Sequence, residues 1–117
     1  CYSSAASDVY KRQGIKTVSF KCGPDYIDPM FHTQVIGTKS RNLDTFFTGE
    51  DITRSLLAKN SADCEIAVME GVMGFYDGVA GITTRASAYD LARVTDTPVL
   101  LIVNSKGMSV SLAAYIK

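Results

Sequence analysis

The sequence predicts an α/β fold, a parallel sheet flanked by helices, and three observations carry that prediction. Strand-like and helix-like segments alternate in the order β-α-β-α-β-α through residues 14–117. The later strand candidates, residues 65–69 (EIAVM) and 99–103 (VLLIV), are continuously apolar, as strands covered on both faces are. Each strand candidate also runs into a polar, glycine-containing loop. In a parallel sheet those loops share one rim, where ligands bind in open α/β folds.

The elements follow in order. Residues 1–8 show neither helical nor strand periodicity, and residues 1–13 read as a non-native or atypical segment. A competing reading makes Lys11-Arg12-Gln13-Gly14 a helix end, with cations in the last turn and glycine just beyond it. Residues 17–22 (TVSFKC) are β-branched and aromatic and stop at Gly23-Pro24, as a strand ending in a turn does. Residues 50–59 place Ile52, Leu56 and Leu57 on one helical face, with Asp51 or Thr48 as the expected cap. Residues 65–69 form the next strand, breaking at Glu70-Gly71. Residues 86–94 form a helix with Tyr89 and Leu91 among its apolar positions. Pro98 opens the apolar strand 99–103, and residues 109–117 begin an Ala/Leu-rich helix.

Composition excludes several classes of function. Twelve basic and twelve acidic residues give zero net charge, against a general nucleic-acid or anionic-membrane binder. The longest strongly apolar run is five residues, where a membrane span needs roughly 20. Three scattered cysteines form no Cys-x-x-Cys pair and are read as free thiols of a reducing cytoplasm. One histidine, His32, excludes sites built on several imidazoles.

The polar rim holds the candidate chemistry. The loops Gly23-Pro24-Asp25-Tyr26-Ile27-Asp28-Pro29 and residues 70–78 bring Lys21, Asp25, Asp28, Glu70 and Asp77 toward one edge. Carboxylates without imidazole or thiolate are hard oxygen donors suited to Mg²⁺, which is commonly shared with phosphate oxygens. Lys21 is placed to neutralise a transferring phosphoryl group. Taken singly, each aspartate is equally what a turn favours; the repetition at successive strand ends carries the functional reading. Arg41, in Ser40-Arg41-Asn42-Leu43-Asp44, is either an anion-holding fork or part of a solvated helix start. Tyr26, Phe75 and Tyr76 are either an apolar wall for a large flat substrate or loop packing.

Residues 20–32 (FKCGPDYIDPMFH), 40–44 (SRNLD) and 69–78 (MEGVMGFYDG) closely resemble the cobyrinate a,c-diamide synthase family, over residues 14–117. The resemblance implies a P-loop NTPase domain similar to dethiobiotin synthetase, joined to a C-terminal glutaminase domain. It implies an ATP-dependent carbon–nitrogen ligase that turns the a and c acetates of cobyrinate or hydrogenobyrinate into amides through acyl phosphates. Mg²⁺, ATP, the corrinoid acid and ammonia from glutamine are the implied cofactor and partners, in a cytoplasmic protein for which a homodimer is entertained. Carried over by motif, Asp25, Asp28 and Glu70 match the metal and phosphoryl-transfer acids, with Lys21 near the transferring phosphate. Tyr26, Ile27 and Asp77 match substrate-side positions, with Arg41 and Asn42 as weaker ones; His32 belongs to the motif without a catalytic role.

The sequence departs from the family pattern in two places. No Gly-x-x-x-x-Gly-Lys-Ser/Thr occurs, residues 1–13 occupying that place, and no glutaminase domain with its cysteine nucleophile is present. A truncated domain lacking the first strand and P-loop is therefore expected, one that does not use ATP productively alone. The alternatives are amidation of another tetrapyrrole such as nickel-sirohydrochlorin, a dethiobiotin-synthetase relative, or a non-catalytic α/β binding module.

Overall fold

Three strands, β1 (Thr17–Cys22), β2 (Lys39–Leu43) and β3 (Ile66–Glu70), form one parallel sheet in the order β2-β1-β3. The computed structural model describes residues 2–24, 30 and 32–116. Among the described residues the sheet is accompanied by α1 (Tyr2–Arg12), α2 (Thr45–Ser61), α3 (Ala88–Thr95) and α4 (Leu112–Ile116). A π-helical turn, His32–Ile36, precedes β2, and a 3₁₀ turn, Val79–Gly81, lies between β3 and α3. The predicted class, a parallel sheet with flanking helices, is what the chain forms.

β1 is the central strand, and its sequence explains both layers. Side chains alternate across a strand, so Val18, Phe20 and Cys22 share one face, and Ser19 and Lys21 the other. All five are buried. On the apolar face they join Leu43 and Leu91, with Leu56, Leu57, Ala67, Met69 and Val72 packed around them. On the polar face lie the buried hydroxyls of Ser19 and Ser40, and α1, which packs against β1 and β3, brings the buried Ser7. Continuous burial of an alternating strand thus comes from a helix covering its polar side.

Several sequence expectations are corrected. Residues 1–8 are expected to be aperiodic, yet Tyr2–Arg12 form α1, tied by an Asp8–Arg12 ion pair of 2.8 Å. Its end follows the Lys11-to-Gly14 reading, for the Gly14 N–H donates to the Lys11 carbonyl and Gly14 has φ +79°. The sequence places residues 40–44 before a helix without assigning a strand, yet Lys39–Leu43 form β2 although Lys39, Ser40, Arg41 and Asn42 have low strand propensity. Pairing with β1, from Val18↔Lys39 to Cys22↔Leu43, overrides that weak preference. β3 includes Glu70 and is half-buried along its length, because β1 pairs with one edge and no strand pairs with the other among the described residues.

Residues 99–103 form no strand; residues 99–102 are exposed, Leu100 to 89%, and Val103 is half-buried. Apolar character marks a segment able to be buried in a sheet, but strand structure needs a partner edge to take its backbone hydrogen bonds. No helix of the described residues is long and apolar enough to cross a membrane.

α2 begins before the predicted helix. Asp44 caps it, accepting from the Phe46 N–H at 2.8 Å, so neither Asp51 nor Thr48 is the cap. Gly49 then breaks the helix at φ +70°, ψ +175°, a conformation only glycine adopts cheaply. Beyond the break Thr53 is fully buried, donating to the Gly49 carbonyl at 2.6 Å, and Ile52 faces outward. The inward set is Thr53, Leu56 and Leu57, the i, i+3, i+4 spacing, rather than one starting at Ile52. In α3 the buried pair is Leu91 and Val94, and Tyr89 is partly exposed. α4 starts at Leu112, later than residue 109.

Leu43, 1% exposed, joins the edge strand β2 to the core. Leu43→Ala is expected to cost about 2–5 kcal/mol, the usual range for truncating a fully buried leucine, read as a lower urea midpoint.

Candidate functional site

Parallel pairing sets the site by register. Lys21 of β1 is the partner of Asn42 on β2 and of Glu70 on β3. The three therefore form one row, on the polar face, one residue before the carboxyl end of β1. Lys21 Nζ lies 3.0 Å from Glu70 Oε1, with side chains 9% and 22% exposed. The carboxylate offsets the cost of burying the ammonium, and the pair occupies strand backbone rather than a loop. Three residues singled out separately in the sequence are thus brought together.

Other predicted residues fall elsewhere. Arg41 is the register partner of Phe20, so it lies on the opposite pleat from Asn42, and its guanidinium donates to the Ser40 carbonyl at 2.8 Å. Asp77 is exposed in the loop after β3, and its N–H donates to the Gly74 carbonyl at 3.0 Å. Asp25, Tyr26, Ile27 and Asp28 lie outside the described residues. Of the three expected metal ligands, Glu70 alone falls within them, and no cluster of three histidine, cysteine or carboxylate residues occurs among the described residues.

The loop after β3 is shaped by its own backbone. The Gly78 N–H donates to the Thr83 carbonyl at 3.0 Å and the Val79 N–H to the Arg85 carbonyl at 2.9 Å. A Cβ on Gly78 would collide with both carbonyl oxygens, so glycine is required there. Phe75, Tyr76 and Tyr89 form a ring cluster with centroids 4.9 to 5.9 Å apart. Loop packing explains Phe75; Tyr76 stays 60% exposed.

Sequence reasoning missed a polar network where this loop meets α2 and α3. Asp90 Oδ2 accepts from the Ala86 N–H at 2.9 Å and from the Thr45 hydroxyl at 3.0 Å. Asp90 Oδ1 accepts from Arg93 at 2.9 Å, and Arg93 also donates to Glu50 at 2.8 Å. Burial raises the Asp90 pKa, but the bonds from Ala86, Arg93 and Thr45 outweigh it and leave the carboxyl below its usual range. Glu50 and Asp90 push the Arg93 pKa upward. A signal for this was present: Ser87 and Asp90 have capping-box spacing, and the Ser87 hydroxyl accepts from the Asp90 N–H at 3.1 Å.

Cys22 lies beside the row on the apolar face. Burial, then the charge of Asp44, raises its pKa from 9.0 to about 11, against the opposing effect of Lys21. It is therefore a protonated structural thiol and not a nucleophile.

A parallel α/β domain with a lysine–carboxylate pair at its strand ends belongs to the class whose sites face the carboxyl rim. By sequence the chain is similar, over most of its length, to cobyrinate a,c-diamide synthases. It is 45% identical over 107 residues to the cobyrinate a,c-diamide synthase of Priestia megaterium, covering 92% of this chain and 23% of the relative. It is 43% identical over 113 residues to that of Methanocaldococcus jannaschii, covering 97% of this chain and 24% of the relative. With that of Synechococcus sp. it shares 45% identity over 96 residues, 82% of this chain and 21% of the relative. The chain spans about a quarter of the length of the curated relatives it matches. No family model and no solved structure matches it.

Two outcomes check this geometry. Lys21→Met and Glu70→Leu are each expected to cost about 1–3 kcal/mol through loss of this part-buried ion pair. The double variant should cost less than the sum, read as a coupling energy in urea unfolding. For Cys22, a raised folded-state pKa means that the folded protein holds the thiol proton more tightly. Its stabilising contribution is then complete below about pH 9 and is lost as pH rises toward about 11. Timed alkylation at pH 8 with mass spectrometry should label the half-buried Cys64 well before Cys22.

Proposed function

We propose that this chain is part of an ATP- and glutamine-dependent ligase that amidates the a and c acetate side chains of cobyrinate or hydrogenobyrinate. The observation that carries the reading is the Lys21–Glu70 pair at the strand ends, within sequence blocks similar to named cobyrinate a,c-diamide synthases. A substrate carboxylate oxygen attacks the γ-phosphorus of ATP, forming an O–P bond while ADP departs with the electrons of the broken one. Ammonia released from glutamine then attacks the acyl carbon, phosphate leaves with the C–O electrons, and the nitrogen loses a proton. The carboxylate is a poor electrophile until its oxygen becomes phosphate, so the protein has chiefly to position the reactants and offset charge.

In this reading Lys21 faces the transferring phosphoryl group and stabilises the charge spread over its oxygens. Glu70 is a hard oxygen donor on rigid backbone, chemically suited to Mg²⁺, with Asp25 and Asp28 as the other ligands. Bound Mg²⁺ supplies neutralisation of phosphate charge. Asn42, level with Lys21, and Asp77, on the loop after β3, serve the substrate side together with Tyr26 and Ile27. Arg41 contributes less directly, from the other pleat. A P-loop domain for ATP, a glutaminase domain for ammonia and a cytoplasmic setting complete the proposed enzyme.

The test uses the full-length enzyme that carries this sequence, assayed with ATP, Mg²⁺, glutamine and, in turn, cobyrinate, hydrogenobyrinate and nickel-sirohydrochlorin. Amidation of cobyrinate or hydrogenobyrinate is the expected result; amidation of nickel-sirohydrochlorin alone transfers the proposal to that acid. Glu70→Gln should lower amide formation by about a hundredfold or more while hydrolysis of glutamine persists. Unchanged synthesis would remove Glu70 from the reaction centre.

A further inference from the structure

The loop after β3 and the junction between β2 and α2 leave the sheet on either side of β1. The first carries Asp77; the second follows Asn42 directly. Both follow strands that pair directly with β1. One side chain bonds to both: Asp90 Oδ2 takes the Ala86 N–H at 2.9 Å, at the end of the loop, and the Thr45 hydroxyl at 3.0 Å, in the first residue of α2. Asp90 is mostly buried, its side chain 14% exposed.

The loop end needs such a hold. Ala86 has φ +63°, a left-handed conformation that costs a non-glycine residue energy. A carboxylate accepting from the same residue's N–H offsets that strain with a charge-assisted bond. The first turn of α3 grips the loop twice more: the Ser87 hydroxyl donates to the Thr84 carbonyl at 2.6 Å, and the Tyr89 N–H to the Phe75 carbonyl at 3.0 Å. Loop and α3 therefore move as a unit, and Asp90 fastens that unit to α2. Arg93 occupies the other carboxylate oxygen and leaves Oδ2 to the two donors.

We infer that Asp90 is a positioning residue that staples the loop after β3 to the β2–α2 junction and so fixes the loop that carries Asp77 relative to the strand ends holding Asn42, Lys21 and Glu70. The inference rests on the proposed function. It assigns Asp90 to placement of the tetrapyrrole acid, while ATP placement does not depend on it.

The experiment takes the full-length enzyme as wild type, Asp90→Ala, Asp90→Asn, Thr45→Val and Arg93→Gln. It measures KM for the tetrapyrrole acid, KM for ATP, and hydrogen exchange over residues 44–48 and 71–86. Asp90→Ala should raise the acid KM about tenfold or more with ATP KM nearly unchanged, as expected for misplacement of one substrate. Exchange should rise in both segments together. Asp90→Asn, which keeps one acceptor oxygen, should recover part of the loss. Thr45→Val, which keeps the Ala86 bond, should reproduce the effect in part and serves if Asp90→Ala does not fold. Arg93→Gln should leave both KM values near wild type. Exchange that rises in one segment only, or acid and ATP KM values that rise together, would overturn the staple. A wild-type enzyme that amidates no tetrapyrrole acid sinks the functional reading and this role with it; an active wild type with Asp90→Ala at its KM sinks this role alone.

Discussion

Parallel pairing on both sides of β1 is the constraint on which the rest depends. It places Lys21 level with Asn42 on one neighbour and with Glu70 on the other. A slip of one residue on either side would turn the partner to the opposite pleat, exchanging polar and apolar faces. The core prevents that slip, because Val18, Phe20, Cys22 and Leu43 must all face the same side. The same apolar contacts that hold the sheet together therefore hold the charged row in place.

The polar face shows how a small domain accommodates a lysine in its interior. Lys21 is 7% exposed overall, and burying an ammonium without a counter-charge would be prohibitive. Glu70 supplies the charge at 3.0 Å. The strand ends give the pair fixed backbone, since both residues belong to paired strands.

The Asp90 network extends that logic away from the sheet. Leu91 of α3 belongs to the buried cluster against which Leu56 and Leu57 of α2 pack, while Arg93 pairs with Glu50 and Asp90, and Arg54 with Glu50, at the edge of that contact. Arg54 also donates to the Val94 carbonyl at 2.7 Å, near the end of α3. The exposed ion pairs among these contribute little individually. Asp90 differs because it is mostly buried and joins backbone to side chain across two connections.

Local chemistry made much of this legible from sequence. β1 was readable with its observed bounds from β-branched and aromatic residues stopping at Gly23, and α3 nearly so from its apolar positions. Lys21, Glu70 and Asp77 stood out because they adjoin strand ends and glycine turns, and the family resemblance came from the same blocks. Tertiary context decided what propensity could not. β2, polar over most of its length, is a strand because β1 offers it an edge. Residues 99–103, the most strand-like by composition, form none and pair with no edge. The separation of Asn42 from Arg41, adjacent in sequence but on opposite pleats, is likewise a matter of register. So is the meeting of Thr45 and Asp90 across 45 positions. Sequence determines which groups are available and what each prefers locally; only the folded arrangement decides which edges and charges they find, because pairing and burial energies belong to pairs of segments.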